Sequence, residues 1–156
     1  MLSIGSFELH LINDCTTYVD GGGAFGLVPR KLWRNYFEPD EDNNIRMAQN
    51  CLYVRAGEQR IVIDTGLGSK LNDRLKRMWN VENDGGLLRG LDQLGVRPED
   101  IDLVICTHLH ADHCSGNTRY VEPGSEQVVA TFPNAEYVVQ RRSEEHTSEL
   151  QSLTNL

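Results

Sequence analysis

The sequence predicts a mixed α+β domain in which antiparallel strands come first and a short buried strand later presents a cluster of polar, chemically active residues. Three observations carry this. Residues 50–56 and 60–64 are strand-like runs flanking Gly57-Glu58-Gln59, residues 71–94 repeat large apolar side chains at helical spacing, and Ile101 to Cys106 is a compact, partly β-branched apolar run.

Taken in order, Phe7 to Ile12 alternates apolar and polar residues, the period of a half-buried strand. Gly21 to Gly26 is glycine-rich and lacks the G-K-[ST] ending of a phosphate-binding loop, so it is expected to be a loop that lends backbone freedom near a site. The two runs around Gly57 form a hairpin. Leu71, Leu75 and Met78 mark one helix; Leu87, Leu88, Leu91 and Leu94 mark another, which Asp84 is expected to cap and Gly95 to stop. Pro98-Glu99-Asp100 leads into the buried strand, and Glu136 to Gln140 reads as one more. No internal repeat or low-complexity linker interrupts the order.

Composition narrows the function. With 39% hydrophobic and 24% charged residues the chain has the makings of an ordinary core, and no apolar run approaches the length of a membrane span. Fifteen basic against 23 acidic residues leave a net charge of −8, which disfavours nucleic acid as a partner. The first six residues lack the basic start and apolar stretch of a secretory signal, and Cys15, Cys51, Cys106 and Cys114 show no C-x-x-C pairing, so a reduced, cytoplasmic chain is expected.

Residues 107–113 read Thr-His-Leu-His-Ala-Asp-His. Three imidazoles and a carboxylate within six positions are the donors that catalytic zinc and similar divalent ions take, whereas a structural zinc site is richer in thiolates. Agreement at four fixed positions arises by chance in fewer than about one chain in a thousand of this length, so the run is read as a ligand set. If the segment is extended, His108, His110 and Asp112 converge while His113 points elsewhere, an arrangement better suited to two neighbouring ions than to one. Cys114 beside it is expected to serve as a small apolar side chain.

Thr107 to His113, together with Asp64-Thr65-Gly66 after an earlier apolar run, resembles the metallo-β-lactamase superfamily of metal-dependent hydrolases. Asp20 to Arg30, followed by Leu32-Trp33, is similar to the opening segment of quorum-quenching N-acyl-homoserine lactonases of the YtnP type and of related organophosphate-hydrolase-like members. The resemblance implies an αβ/βα sandwich, of which this chain supplies the N-terminal half. It also implies two divalent ions, zinc by preference, with His108 and His110 on the first and Asp112 and His113 on the second. Asp112 would help handle protons in catalysis. Asp64 would lie beneath these ligands and orient an imidazole or the loop backbone. Phe25 and Trp33 are candidate walls of an apolar substrate pocket, although core packing is the commoner use of such residues.

The implied activity is hydrolysis of a small-molecule ester or lactone by a hydroxide held between two ions, with no nucleic acid or membrane involved and a homodimer compatible. A phosphotriesterase or a thioesterase of the glyoxalase II type would use the same first-half ligands, and a chain with only two donors per ion could lack activity altogether. A nucleic-acid-processing nuclease would want a basic groove, which the charge balance disfavours.

Residues 142–152, Arg-Ser-Glu-Glu-His-Thr-Ser-Glu-Leu-Gln-Ser, coincide with the in-frame translation of a widely used sequencing-library adapter, and residues 153–156 fit its continuation. We therefore expect residues 1–141 to be an incomplete domain and 142–156 to be an artefact with no function, His146 included. The half-sandwich is expected to expose an apolar sheet face and to be poorly soluble. Resequencing the source gene across codon 141 checks the tail: native codons are expected in its place, and persistence of the same fifteen residues would refute the artefact.

Overall fold

In the computed structural model, which describes residues 1–122 and 124–141, a six-stranded mixed sheet is covered on one face by a helix and a small two-stranded ribbon stands apart from it. The expectation about residues 142–156 lies outside the described residues. Strands β1 (Leu2–Ile4), β2 (Phe7–Asp20), β3 (Asn44–Ala56) and β4 (Gln59–Ile63) form an antiparallel meander. Strands β5 (Leu103–Cys106) and β8 (Glu136–Val139) continue it in parallel, giving the order β1-β2-β3-β4-β5-β8. The ribbon pairs β6 (Thr118–Tyr120) with β7 (Val128–Ala130). Among the described residues five short α-helices lie between the strands, α1 (Gly21–Phe25), α2 (Arg30–Trp33), α3 (Asp73–Met78), α4 (Gly86–Gln93) and α5 (Ala111–Cys114).

The α4 face of the sheet holds the core. Cross-strand register aligns Ile12 with Cys51, and Tyr53, Val62, Val104 and Tyr137 form a row across four strands; Leu87 and Leu91 of α4 pack on this face. Gly90 lets the helix sit close, because a Cβ there would crowd the Ile12 side chain.

The opposite face is apolar too. Leu9, Val54, Ile61 and Leu103 make one cross-strand row on it, and Leu11, Leu52, Ile63, Ile105 and Val138 the next. Of these residues only Val54 is buried, and Leu11 is 70% exposed. A row of this kind on a monomer's surface promotes association.

Several expected boundaries shift. The hairpin strands β2 and β3 run far beyond the predicted Phe7–Ile12 and Asn50–Ala56, because their outer halves pair with each other through polar residues that carry little strand signal. The glycine-rich segment is a helical turn instead of a loop: the Asp20 carboxylate accepts hydrogen bonds from the Gly22 and Gly23 amides and starts α1. Asp84 does not cap α4. It pairs with Lys76 at 2.6 Å, and the Leu87 amide donates instead to the buried carboxylate of Asp14 at 3.1 Å. The ribbon and β1 went unpredicted, being only three residues per strand.

All four cysteines are free thiols, and Cys15, Cys51 and Cys106 are buried. Burial, with the Asp14 charge second, pushes the Cys15 thiol up to about 12. No helix of the described residues is long and apolar enough to cross a membrane.

Two outcomes are expected. Leu11→Glu should raise the soluble, monodisperse fraction on gel filtration while changing stability by no more than about 0.5 kcal/mol, the usual range for an exposed site; unchanged self-association would show that this face is not responsible. Alkylation at pH 8 should spare Cys15 in the native protein and modify it only after unfolding.

Candidate metal centre

The His-rich segment lies at the carboxyl end of β5, beside the carboxyl end of the parallel neighbour β4. Asp64 leaves β4 with a left-handed backbone, φ 56°, a conformation that Asp tolerates better than most residues. Its amide is held by the Ile105 carbonyl at 2.9 Å, and the turn brings its carboxylate beneath residues 107–113.

That carboxylate, 7% exposed at the level of the whole residue, accepts hydrogen bonds from the Thr107 amide at 2.7 Å, from the Thr107 hydroxyl at 2.7 Å and from His113 Nδ1 at 2.8 Å. Because a carboxylate only accepts, Nδ1 of His113 carries a proton, and in the tautomer this selects Nε2 is the lone-pair nitrogen. The Thr107 hydroxyl, having donated to Asp64, can accept from His108 Nδ1 at 3.1 Å, which selects the same tautomer there. Burial, followed by the charges of His113 and His110, holds His108 below the usual imidazole range and favours its neutral form. One buried carboxylate thus holds His113 directly and His108 through Thr107, selecting Nε2 as the lone-pair nitrogen of both.

The motif is not extended throughout. His110 begins a helical turn in which the His113 and Cys114 amides donate to its carbonyl at 2.9 and 3.1 Å. The expectation that His113 points elsewhere is therefore overturned: a helical turn brings its ring within 4.0 Å of His108, centroid to centroid, and its Nε2 within 3.4 Å of Asp112 Oδ2. His108 and His110 rings lie 4.7 Å apart, edge to face.

The donors suit a divalent ion in kind. Two atoms each about 2.1 Å from a tetrahedral ion stand roughly 3.4 Å apart, which matches the Asp112 and His113 pair. They do not complete a shell: among the described residues no three His, Cys, Asp or Glu side chains converge on one point.

The turn is clamped from below. Thr65 donates its amide to the His113 carbonyl at 2.7 Å and its hydroxyl to Asn117 Oδ1 at 2.9 Å, while the Gly116 amide donates to the Gly66 carbonyl at 3.1 Å. Gly116 is obligatory, since a Cβ would overlap the Thr65 carbonyl. Lys70 then ties down the exit by donating to the Ser115 and Thr118 carbonyls and to the Thr118 hydroxyl.

Next to His110 and Asp112 opens a cleft of about 610 Å³ lined by Thr17, Val19, Gly23, Ala24, Met47, Gln49, Leu67 and Trp79. Phe25 and Trp33, the expected pocket walls, do not line it. Trp33 is 4% exposed, sits against Gly21 and stacks on Phe25 at 4.9 Å, so the two rings pack α1 against α2. The cleft residues escaped the sequence reading because those on β2 and β3 lie in the unpredicted outer halves of these strands; Thr17, Val19, Met47 and Gln49 at period two were the available signal.

Comparison with known proteins gives the family of the chain. The metallo-beta-lactamase superfamily profile matches residues 45–146, and the chain belongs to that superfamily. Over 69 residues it is 33% identical to the N-acyl homoserine lactonase AttM of Azorhizobium caulinodans, a stretch that is 44% of this chain and 22% of that protein. A probable metal-dependent hydrolase from Staphylococcus aureus superposes with a TM-score of 0.84 at 30% identity over 95% of this chain and 52% of its own. AidC, a dizinc quorum-quenching lactonase, shares the fold with a TM-score of 0.68 at 23% identity, over 92% of this chain and 45% of its own. The chain thus spans about half the length of these solved structures and less of the matched lactonase.

Asp64→Ala should weaken zinc binding about ten- to a hundredfold in a chelator-competition titration, the usual effect of losing a group that orients a ligand. Undiminished affinity would reduce Asp64 to a turn-forming residue.

Proposed function

We propose that this chain is the metal-holding half of a hydrolase that opens a lactone or cleaves an ester, with N-acyl-homoserine lactones as the substrate class. The observation that carries the reading is the single Asp64 carboxylate setting His113 directly and His108 through Thr107, each in the tautomer that leaves Nε2 as the lone-pair nitrogen, beside a cleft in which no described lining residue is Lys or Arg. Such a cleft suits an uncharged carbonyl substrate and gives no counter-charge to a nucleic acid or an anionic thioester.

In this reading His108 and His110 hold one divalent ion and Asp112 and His113 a second, zinc being the ion that these donors suit best. When bound, such ions ionise water near neutral pH and polarise a carbonyl. The chain's own groups do the rest. Asp64 and Thr107 keep both imidazoles in the ligating tautomer, so no proton has to leave their Nε2 atoms first. Asp112, the more exposed member of its pair with His113, can take a proton at Oδ2 and return it to the departing alkoxide. Val19, Met47, Leu67 and Trp79 exclude water from the apolar part of the substrate.

The test pairs elemental analysis with a constant-pH assay of acid release from N-octanoyl-homoserine lactone. Zinc should co-purify with the chain or load onto it, and His110→Ala should lose at least half of that zinc and reduce acid release at least a hundredfold. Acid release that survives both His110→Ala and Asp112→Ala would sink the reading, and faster turnover of a phosphotriester or thioester would redirect it.

A further inference from the structure

The cleft carries more information than its apolar character. After a β-bulge at Asn13/Cys15 the register pairs Cys15 with Gln49 and Thr17 with Met47, so Thr17 and Gln49 sit diagonally on the sheet face that leads to His110. Both are polar, both line the cleft, and they are 2% and 8% exposed. Gln49 Nε2 donates to Thr17 Oγ1 at 3.1 Å.

That single bond leaves two capacities unused. The Gln49 carbonyl Oε1 can accept, and the Thr17 hydroxyl hydrogen can donate. Among the described residues no side-chain nitrogen or oxygen is both sealed from solvent and unpartnered, so Gln49 Oε1, which accepts no bond within the described residues, opens on space that a solute can reach, and Thr17 lines the same cleft. The other side chains of the cleft away from His110 and Asp112 are apolar, from Val19, Ala24, Met47, Leu67 and Trp79.

We propose that Gln49 and Thr17 are the specificity-determining pair of this cleft and that they read a secondary amide, joined to an apolar arm, on an uncharged substrate. This rests on the hydrolase reading above and adds the group by which the substrate is chosen. A secondary amide brings one N–H for the Gln49 carbonyl and one C=O for the Thr17 hydroxyl. An ester in the same place brings no donor and leaves the Gln49 carbonyl facing an oxygen. The apolar wall takes the arm, and the reactive carbonyl falls toward His110 and Asp112. A cross-strand pair serving only to hold β2 to β3 would have no reason to discriminate between amide and ester.

The experiment compares two probes that differ by one atom, N-octanoyl-homoserine lactone and α-octanoyloxy-γ-butyrolactone, by quenching of Trp79 fluorescence in the intact chain, with Trp79→Phe as the control for the signal. The amide probe should bind about tenfold more tightly, the size of one hydrogen bond lost against an unpaired acceptor. Gln49→Leu should bind both probes with the affinity of the ester, and Gln49→Glu, which retains an acceptor, should keep the preference. Equal affinities in the unmodified chain, binding of neither probe, or a Gln49→Leu variant that weakens both equally would overturn the proposal, and the first two outcomes need no variant to fold. Zinc-dependent hydrolysis of p-nitrophenyl butyrate, which has no amide, separates the two readings. Hydrolysis without any amide preference removes the role of Gln49 and Thr17 but leaves the hydrolase standing, whereas amide preference without hydrolysis supports the pair and removes the hydrolase.

Discussion

The Asp64 carboxylate is the constraint around which the candidate site is arranged. It terminates β4, reaches across to the segment that leaves β5, and accepts three hydrogen bonds from that segment. Its position follows from parallel pairing: β4 and β5 end side by side, so a turn after one can lie under the loop after the other. The left-handed backbone at Asp64 is the local cost of that placement, and the Ile105 carbonyl and the Thr65 clamp offset it. An oriented imidazole depends on a satisfied partner at its second nitrogen, which is why a residue that need not touch an ion has such influence on the site.

The second organising feature is the bulge in β2. One extra residue between Asn13 and Cys15 moves the face-directed positions from even to odd numbers, so Ile12 packs under α4 while Thr17 and Val19 line the cleft on the same side of the sheet. Without it Thr16 and Tyr18 would point into the cleft and Thr17 away from it. Because β4 pairs with β3 only over Leu52–Ala56, the outer half of the β2–β3 hairpin overhangs the sheet and lines the cleft beside His110 and Asp112. Asp14, at the bulge, ties β2 to the segment after β4 and to the start of α4 by accepting from the Gly68 and Leu87 amides, and burial raises its carboxyl above the ordinary value despite those two bonds.

The two sheet faces differ in what they meet. One carries the core under α4 and, further along, the cleft; the other presents rows of leucine, isoleucine and valine that no described helix covers. The chain spans about half the length of the solved structures it superposes on, and the sandwich architecture implied by the superfamily is one in which a second sheet covers such a face.

The His-rich segment and the strand before it were legible in the sequence, because His108, His110, Asp112 and His113 fall within six positions and chemistry restricts what such a cluster does. The hairpin turn at Gly57, the helix over Leu87–Leu91 and the buried run through Val104 were legible for the same local reason: period and turn chemistry act over a few residues. What the tertiary structure alone decided involves partners distant along the chain. It placed Asp14 rather than Asp84 on the α4 amide, turned His113 into the cluster, and took Phe25 and Trp33 out of the cleft in favour of Met47, Gln49 and Trp79. A one-residue bulge and a helical turn change which way a side chain faces without changing any motif, so these outcomes depend on register and packing that no short stretch of sequence encodes.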